Sequence, residues 1–223
     1  MVLWFERRNI LSNNKIVIID YNMGNLRSVQ KAFEKSGCAA VITNDIKKIQ
    51  DADKIVLPGV GAFRDGMKHL EKLGLIGVLS NEVLKCKKPF LGICLGMQLL
   101  ANKSFENGET RGLGFINAEV LKFDFIENND TLKVPHVGWN NVKYTHNKNI
   151  LFEQVEDNSD FYFVHSYYFK PKEDVSTSIT DYGIDFVSSV RKNNIYAFQF
   201  HPEKSQKVGL KVISNFVKLK EGI

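Results

Sequence analysis

The sequence predicts an α/β fold: a doubly wound, mainly parallel sheet with helices on both faces and an antiparallel extension. Three observations carry that expectation. Short β-branched apolar runs alternate with amphipathic helical patterns up to about residue 105, as in βαβ units joined by right-handed crossovers. The second half holds strand-like runs with few helices between them. The closing stretch, 205–219, has apolar residues at helical intervals and is expected to pack back on the sheet.

Taken in order, KIVIIDY (15–21) is a buried-strand pattern ending in a polar turn, and NLRSVQKAFEKSG (25–37) is a helix closed by glycine. AAVITND (39–45) and ADKIVLPGVG (52–61) repeat the strand signal. MKHLEKLGLIGVLSNEVLK (67–85) reads as a helix, KPFLGICLG (88–96) as the next strand, and MQLLANKSF (97–105) as a helix that begins where that strand ends. Then come strand-like runs at 114–125, 137–145, 160–169, 185–192 and 194–201. Residues 1–14 read as an extension with no signal-peptide pattern, and 15–223 as a single domain without repeats or a linker.

Composition narrows the function class. Hydrophobic residues at 43% and charged residues at 25% are ordinary for a globular chain. The net charge of +5 comes from lysines scattered among acids, which makes a solvated basic surface and not a nucleic-acid site. No run approaches the roughly 20 apolar residues of a membrane span. Three cysteines, Cys38, Cys86 and Cys94, form neither a disulfide framework nor a metal-ligand spacing, so no metal is expected and a reducing cytoplasm fits.

Cys38 and Cys86 read as buried structural cysteines, whereas Cys94 sits in Gly92-Ile93-Cys94-Leu95-Gly96 at a strand-to-helix junction. A nucleophile on so sharp a turn needs neighbours without bulk, and the helix N-terminus beside it favours the thiolate. A thiolate needs a base, and His201 lies just past an apolar strand with Glu203 two residues on. Pro202 between them ends the strand, so both polar side chains can turn to one point, with the carboxylate orienting the imidazole. His69 and His146 read as surface residues. His136 and His165, each in an aromatic-rich run, stay open to three readings: core, ligand contact or interface.

Attack on a carboxamide carbon creates an oxyanion. The glycine-rich turn after the strand KIVL, with Gly59 and Val60, offers bare backbone N–H groups at the carboxyl edge of the sheet. The amides of Val60 and of Leu95, next to the nucleophile, are the expected donors.

PGVGAF (58–63), GICLGMQLL (92–100) and FQFHPEKS (198–205), in this order, resemble the class I glutamine amidotransferase family. IIDYNMGNLRSV (18–29), KVPHVGWN (133–140) and YFVHSYYF (162–169) resemble one subfamily of it, which serves histidine biosynthesis. The resemblance implies a cofactor-free glutaminase with a triad of Cys94, His201 and Glu203. It implies that glutamine is gripped by Gln98, Ser166 and Tyr167. Where the family commonly has an acidic pair, this chain has Phe105-Glu106, so only Glu106 matches. Trp139 and Asn140 would face the partner, a (β/α)8-barrel cyclase that takes up the ammonia. Amidination of a sugar for surface glycans is the alternative fate of that ammonia. On the residues alone, a solitary elbow-cysteine hydrolase and a non-catalytic scaffold are the other readings.

Overall fold

The computed structural model describes residues 15–124, 132–147 and 149–219. The extension 1–14 and the end of the run at 125 lie outside the described residues. The strands are β1 (Ile16–Ile19), β2 (Ala40–Thr43), β3 (Lys54–Gly59), β4 (Phe90–Cys94), β5 (Lys103–Ser104), β6 (Thr110–Arg111), β7 (Ala118–Lys122), β8 (His136–Tyr144), β9 (Ser159–His165), β10 (Tyr167–Pro171), β11 (Ser176–Asp181), β12 (Asp185–Lys192) and β13 (Ile195–Phe198). The helices are α1 (Leu26–Lys35), α2 (Ile46–Gln50), α3 (Phe63–Lys72), α4 (Leu75–Ser80), α5 (Leu95–Gln98) and α6 (Gln206–Lys218).

Nine strands form one sheet in the order β2-β1-β3-β4-β13-β12-β11-β8-β9. The five from β2 to β13 run parallel, and the pairings from β13 outward to β9 are antiparallel. Every residue of β1, β3, β4 and β13 is buried, as parallel strands covered on both faces must be. Alternate residues divide between two cores. Val17, Ile19, Ile55 and Leu57 meet α3, α4 and α5, whereas Ile16, Ile18, Val56 and Leu91 meet α1 and α6. A second sheet, β10-β7-β5-β6, closes over the first of these faces through Ala118, Val120 and Phe169.

Several expectations are corrected. The helix expected at 67–85 begins at Phe63 and breaks at Gly74, whose φ of 66° is left-handed. It resumes as α4 and ends in a π-helical turn over Asn81–Lys85. The helix expected at 97–105 stops at Gln98, because Asn102 N–H donates to the carbonyl of Ala118 and the chain is drawn into the second sheet. The run at 160–169 is two strands. It breaks at Ser166, where the chain leaves β8 and crosses to β7.

Helix α2 and strand β11 carried too weak a pattern to be expected, as did the two-residue strands β5 and β6. Helix α2 is five residues, capped by Asp45, which accepts from the N–H groups of Lys47 and Lys48. Strand β11 is polar in sequence yet largely buried, its hydroxyls being paired across to β12: Thr177 to Ser189 at 2.6 Å and Ser178 to Ser188 at 2.9 Å. Cys86 is exposed, unlike the buried Cys38, because it caps the π-helical turn and not a strand. His69 is half-buried, its Nδ1 held 3.0 Å from the Tyr21 carbonyl, whereas His146 is exposed.

Candidate active site

Strand β4 carries an unbroken apolar run through the middle of the parallel sheet and ends on Cys94. There the backbone takes φ 54° and ψ −109°, a costly conformation for any residue with a side chain, and α5 starts at Leu95. The turn is this tight because α5 lies directly on β3: a Cβ on Gly96 would stand 1.7 Å from the Leu57 carbonyl oxygen. Cys94 is 5% exposed. Its sulfur lies 3.8 Å from the Val164 carbonyl and 3.7 Å from Nε2 of Gln199, which donates to it.

His201 comes to the elbow because β13, which it follows, is the parallel neighbour of β4, with Phe198 opposite Ile93. Its own N–H donates to the Tyr162 carbonyl at 2.9 Å, which fixes the backbone where the strand ends. Pro202 then opens a single 3-10 turn, Pro202–Lys204, that folds Glu203 back onto the ring. Nδ1 of His201 donates to Oε1 of Glu203 at 2.8 Å, and both side chains are buried. Nε2, the other ring nitrogen, is buried without a hydrogen-bond partner among the described residues. Burial opposes the imidazolium, yet the Cys94 sulfur and then the Glu203 carboxylate outweigh it and hold the His201 pKa at about 10.

A cavity of about 460 Å³ opens at Cys94, in the size range of small-molecule sites. Val60 and Leu95 line it on one side, and Gln98, Glu106, Ser166 and Tyr167 on the others. Gly59 stands behind that wall, opposite Cys94 in the β3–β4 register. Gln98 is anchored by its Nε2, which donates to the Tyr167 carbonyl at 2.9 Å and to Oε1 of Gln199 at 3.0 Å. Glu106 accepts from the Phe63 N–H at 2.6 Å. Trp139 and Asn140 are off the cavity, on β8. Trp139 is 47% exposed, and Asn140 donates to the Asp181 carbonyl at 2.9 Å.

Of the readings left open for His165, a ligand contact fits its place in the cavity lining; sequence reasoning passed over Lys204, which also lines the cavity, and Gln199 and Tyr21, which act on the sulfur. Gln199 did leave a signal, being the one polar residue in the apolar run from Ile195 to Phe200. Tyr21 left none. Its hydroxyl fills the space a Gly59 side chain would need, 2.0 Å from the position of that Cβ, and has no partner among the described residues. Burial and then the charge at Cys94 drive its pKa far upward.

Residues 17–219 match the family model for glutamine amidotransferase class-I. The chain belongs to that family. Among curated proteins, it is 50% identical over 205 residues to the imidazole glycerol phosphate synthase subunit HisH 1 of Campylobacter jejuni, covering 92% of this chain and 100% of that one. Identity to the HisH subunit of Geobacter metallireducens is 52% over 204 residues, covering 90% and 96%. A crystal structure of a glutamine amidotransferase superposes with a TM-score of 0.69 at 17% identity, over 91% of this chain and 99% of that one, so the amidotransferase fold is shared. Among the described residues, no helix is long and apolar enough to cross a membrane.

Proposed function

We propose that this chain is the glutaminase subunit of an imidazole glycerol phosphate synthase, with residues 15–223 as one catalytic domain working in the cytoplasm. The observation that carries the chemistry is a cysteine on a strained elbow that opens to a cavity, with a histidine at the end of the neighbouring strand whose Nδ1 is held by a buried carboxylate. About 50% identity to HisH subunits over nearly their whole length supports the pathway.

The Cys94 thiolate attacks the side-chain carbonyl carbon of glutamine, and the C=O electron pair moves onto oxygen. The amides of Val60 and Leu95 receive that oxyanion. As the C–N bond breaks, Nε2 of His201 gives its proton to the departing nitrogen, which leaves as ammonia. A thioester remains. The neutral imidazole then takes a proton from water, the hydroxide adds to the thioester carbon, and cleavage of the C–S bond releases glutamate and restores the thiolate–imidazolium pair. Glu203 keeps Nδ1 protonated throughout, so that Nε2 is the nitrogen that exchanges protons.

Glu106 and Lys204, of opposite charge on the same cavity, suit the two ends of a zwitterionic amino acid. Ammonia released into water at neutral pH would become ammonium and lose its nucleophilicity, so it must pass directly to an acceptor enzyme. That partner is a (β/α)8-barrel cyclase, docked over the exposed Val137 and Trp139 of β8. The test is glutamate release measured with and without the matching (β/α)8-barrel cyclase, together with complementation of a histidine auxotroph. Release of glutamate that the cyclase leaves unchanged, or failure to restore growth beside a matching cyclase, would overturn the reading.

A further inference from the structure

His136 and His165, the two histidines the sequence left open, face each other across β8 and β9 as directly opposed residues. His136 is 3% exposed and His165 6%. Nδ1 of His136 lies 3.0 Å from Nε2 of His165, Nδ1 of His165 lies 2.8 Å from the Tyr167 carbonyl, and Nδ2 of Asn140 lies 3.3 Å from Nε2 of His136.

The direction of every bond follows from the ends. A carbonyl only accepts, so Nδ1 of His165 carries a hydrogen. Neutral His165 then has a bare Nε2, which needs a donor, so Nδ1 of His136 also carries a hydrogen. That leaves Nε2 of His136 bare, to accept from the Asn140 amide. Asn140 is oriented for this, because its Oδ1 accepts from the Asn141 N–H at 2.8 Å. Burial pushes both imidazole pKa values down, to about 4 for His136 and about 3 for His165, so both stay neutral at pH 7.

The inner end of the chain meets the cavity. The Tyr167 carbonyl accepts from His165 and from Gln98, which fills both of its lone pairs. Gln98 spends its two N–H bonds on Tyr167 and Gln199, and Gln199 donates in turn to the Cys94 sulfur. One polarised series thus runs from Asn140, beside the exposed Trp139, to the nucleophile.

We propose that His136 and His165 are positioning residues of the glutamine site. As a pair of neutral imidazoles, each protonated on Nδ1, they fix the Tyr167 carbonyl and through it the amide of Gln98, so that Gln98 offers its oxygen to the substrate. The assignment rests on the glutaminase reading above and gives both residues a role that acts through Tyr167 and Gln98.

The first test needs no turnover: nitrogen-15 NMR of histidine-labelled protein, in complex with the cyclase, reads the tautomer of each ring. Both rings should be Nδ1–H, the tautomer that a free histidine side chain disfavours in water. An Nε2–H tautomer, or an imidazolium at pH 7, at either residue overturns the proposal. The second test is His136→Phe, which keeps the stacking on Phe163 and Tyr182 but removes the donor to His165. KM for glutamine should rise about tenfold, the effect of one lost hydrogen bond, with kcat changed less than about threefold. His136→Asn, which restores an N–H at the same reach, should recover most of that loss. A variant with unchanged KM, or with loss confined to kcat as a reduced folded fraction would give, overturns it too. A parent complex without glutaminase activity would instead sink the functional reading and leave the tautomer result standing.

Discussion

Replacing Gly96 by alanine should cripple the enzyme, whereas the same change at Gly92, its partner in the elbow, should be mild. A Cβ at Gly96 would lie 1.7 Å from the Leu57 carbonyl oxygen and 2.8 Å from its carbon, against the 3.0 Å below which real Cβ atoms essentially never come. The helix and strand must therefore separate by about 1.3 Å. Leu57 cannot retreat, since β3 is bonded to β1 on one side and β4 on the other. The movement falls on α5 and on the Cys94 turn from which it springs. Overpacking of this kind costs about 1–3 kcal/mol of stability. A misplacement of about 1 Å at reacting groups costs on the order of 100-fold in rate. At Gly92 a Cβ would meet the backbone of Gly96 and Met97 at 2.9–3.1 Å, so α5 must still give, but by a few tenths of an ångström and not by more than 1 Å. Glutamate release by the cyclase complex, with urea unfolding of each variant, gives the answer. Gly96→Ala should retain about 1% of the parent turnover, and Gly92→Ala more than about a tenth. Equal losses at the two positions, or parental turnover and unfolding midpoint in Gly96→Ala, would refute the close-approach argument.

Cys94→Ala should abolish glutamate release, and Glu203→Gln should slow it by about 100-fold by weakening the proton donor, as kcat measurements would register; a Glu203→Gln enzyme at parental rate would remove Glu203 from the triad. Tyr21→Phe deletes a buried hydroxyl without a partner among the described residues, so it should raise stability by about 1 kcal/mol in urea unfolding, and a loss of that size would mean the hydroxyl is satisfied in solution. Stability should also depend on pH in two windows. His136 and His165 have folded pKa values lowered from 6.5 to about 4 and about 3, so the unfolded chain binds more protons below pH 6.5 and stability falls as pH drops from there toward 3. His201 is raised from 6.5 to about 10, so its contribution is complete below pH 6.5 and lost as pH climbs toward 10. Unfolding midpoints across pH should show His136→Phe shallower on the acid side only, and an unchanged acid slope would contradict the buried neutral pair.

The sequence by itself determined the alternation that makes the parallel sheet, and the elbow at Cys94, because both are local. Continuous apolar runs, helical spacing and glycines at fixed offsets act within a few residues of one another. It also brought out His201-Pro202-Glu203, since a proline at a strand end dictates the turn that folds the carboxylate onto the ring. What only the tertiary structure decided depends on which strands become neighbours. That β13 lies beside β4 brings residue 201 to residue 94, a contact between segments about a hundred residues apart that no local pattern encodes. The break at Ser166 arises because β9 and β10 are claimed by different sheets, although the run of aromatic residues is continuous. Strand β11 is invisible as a pattern because its polar side chains are buried only once the hydroxyls of β12 stand opposite. Tyr21 and the His136–His165 pair have the same cause: a polar atom acquires its role from the atoms that burial sets around it, and those come from the whole fold.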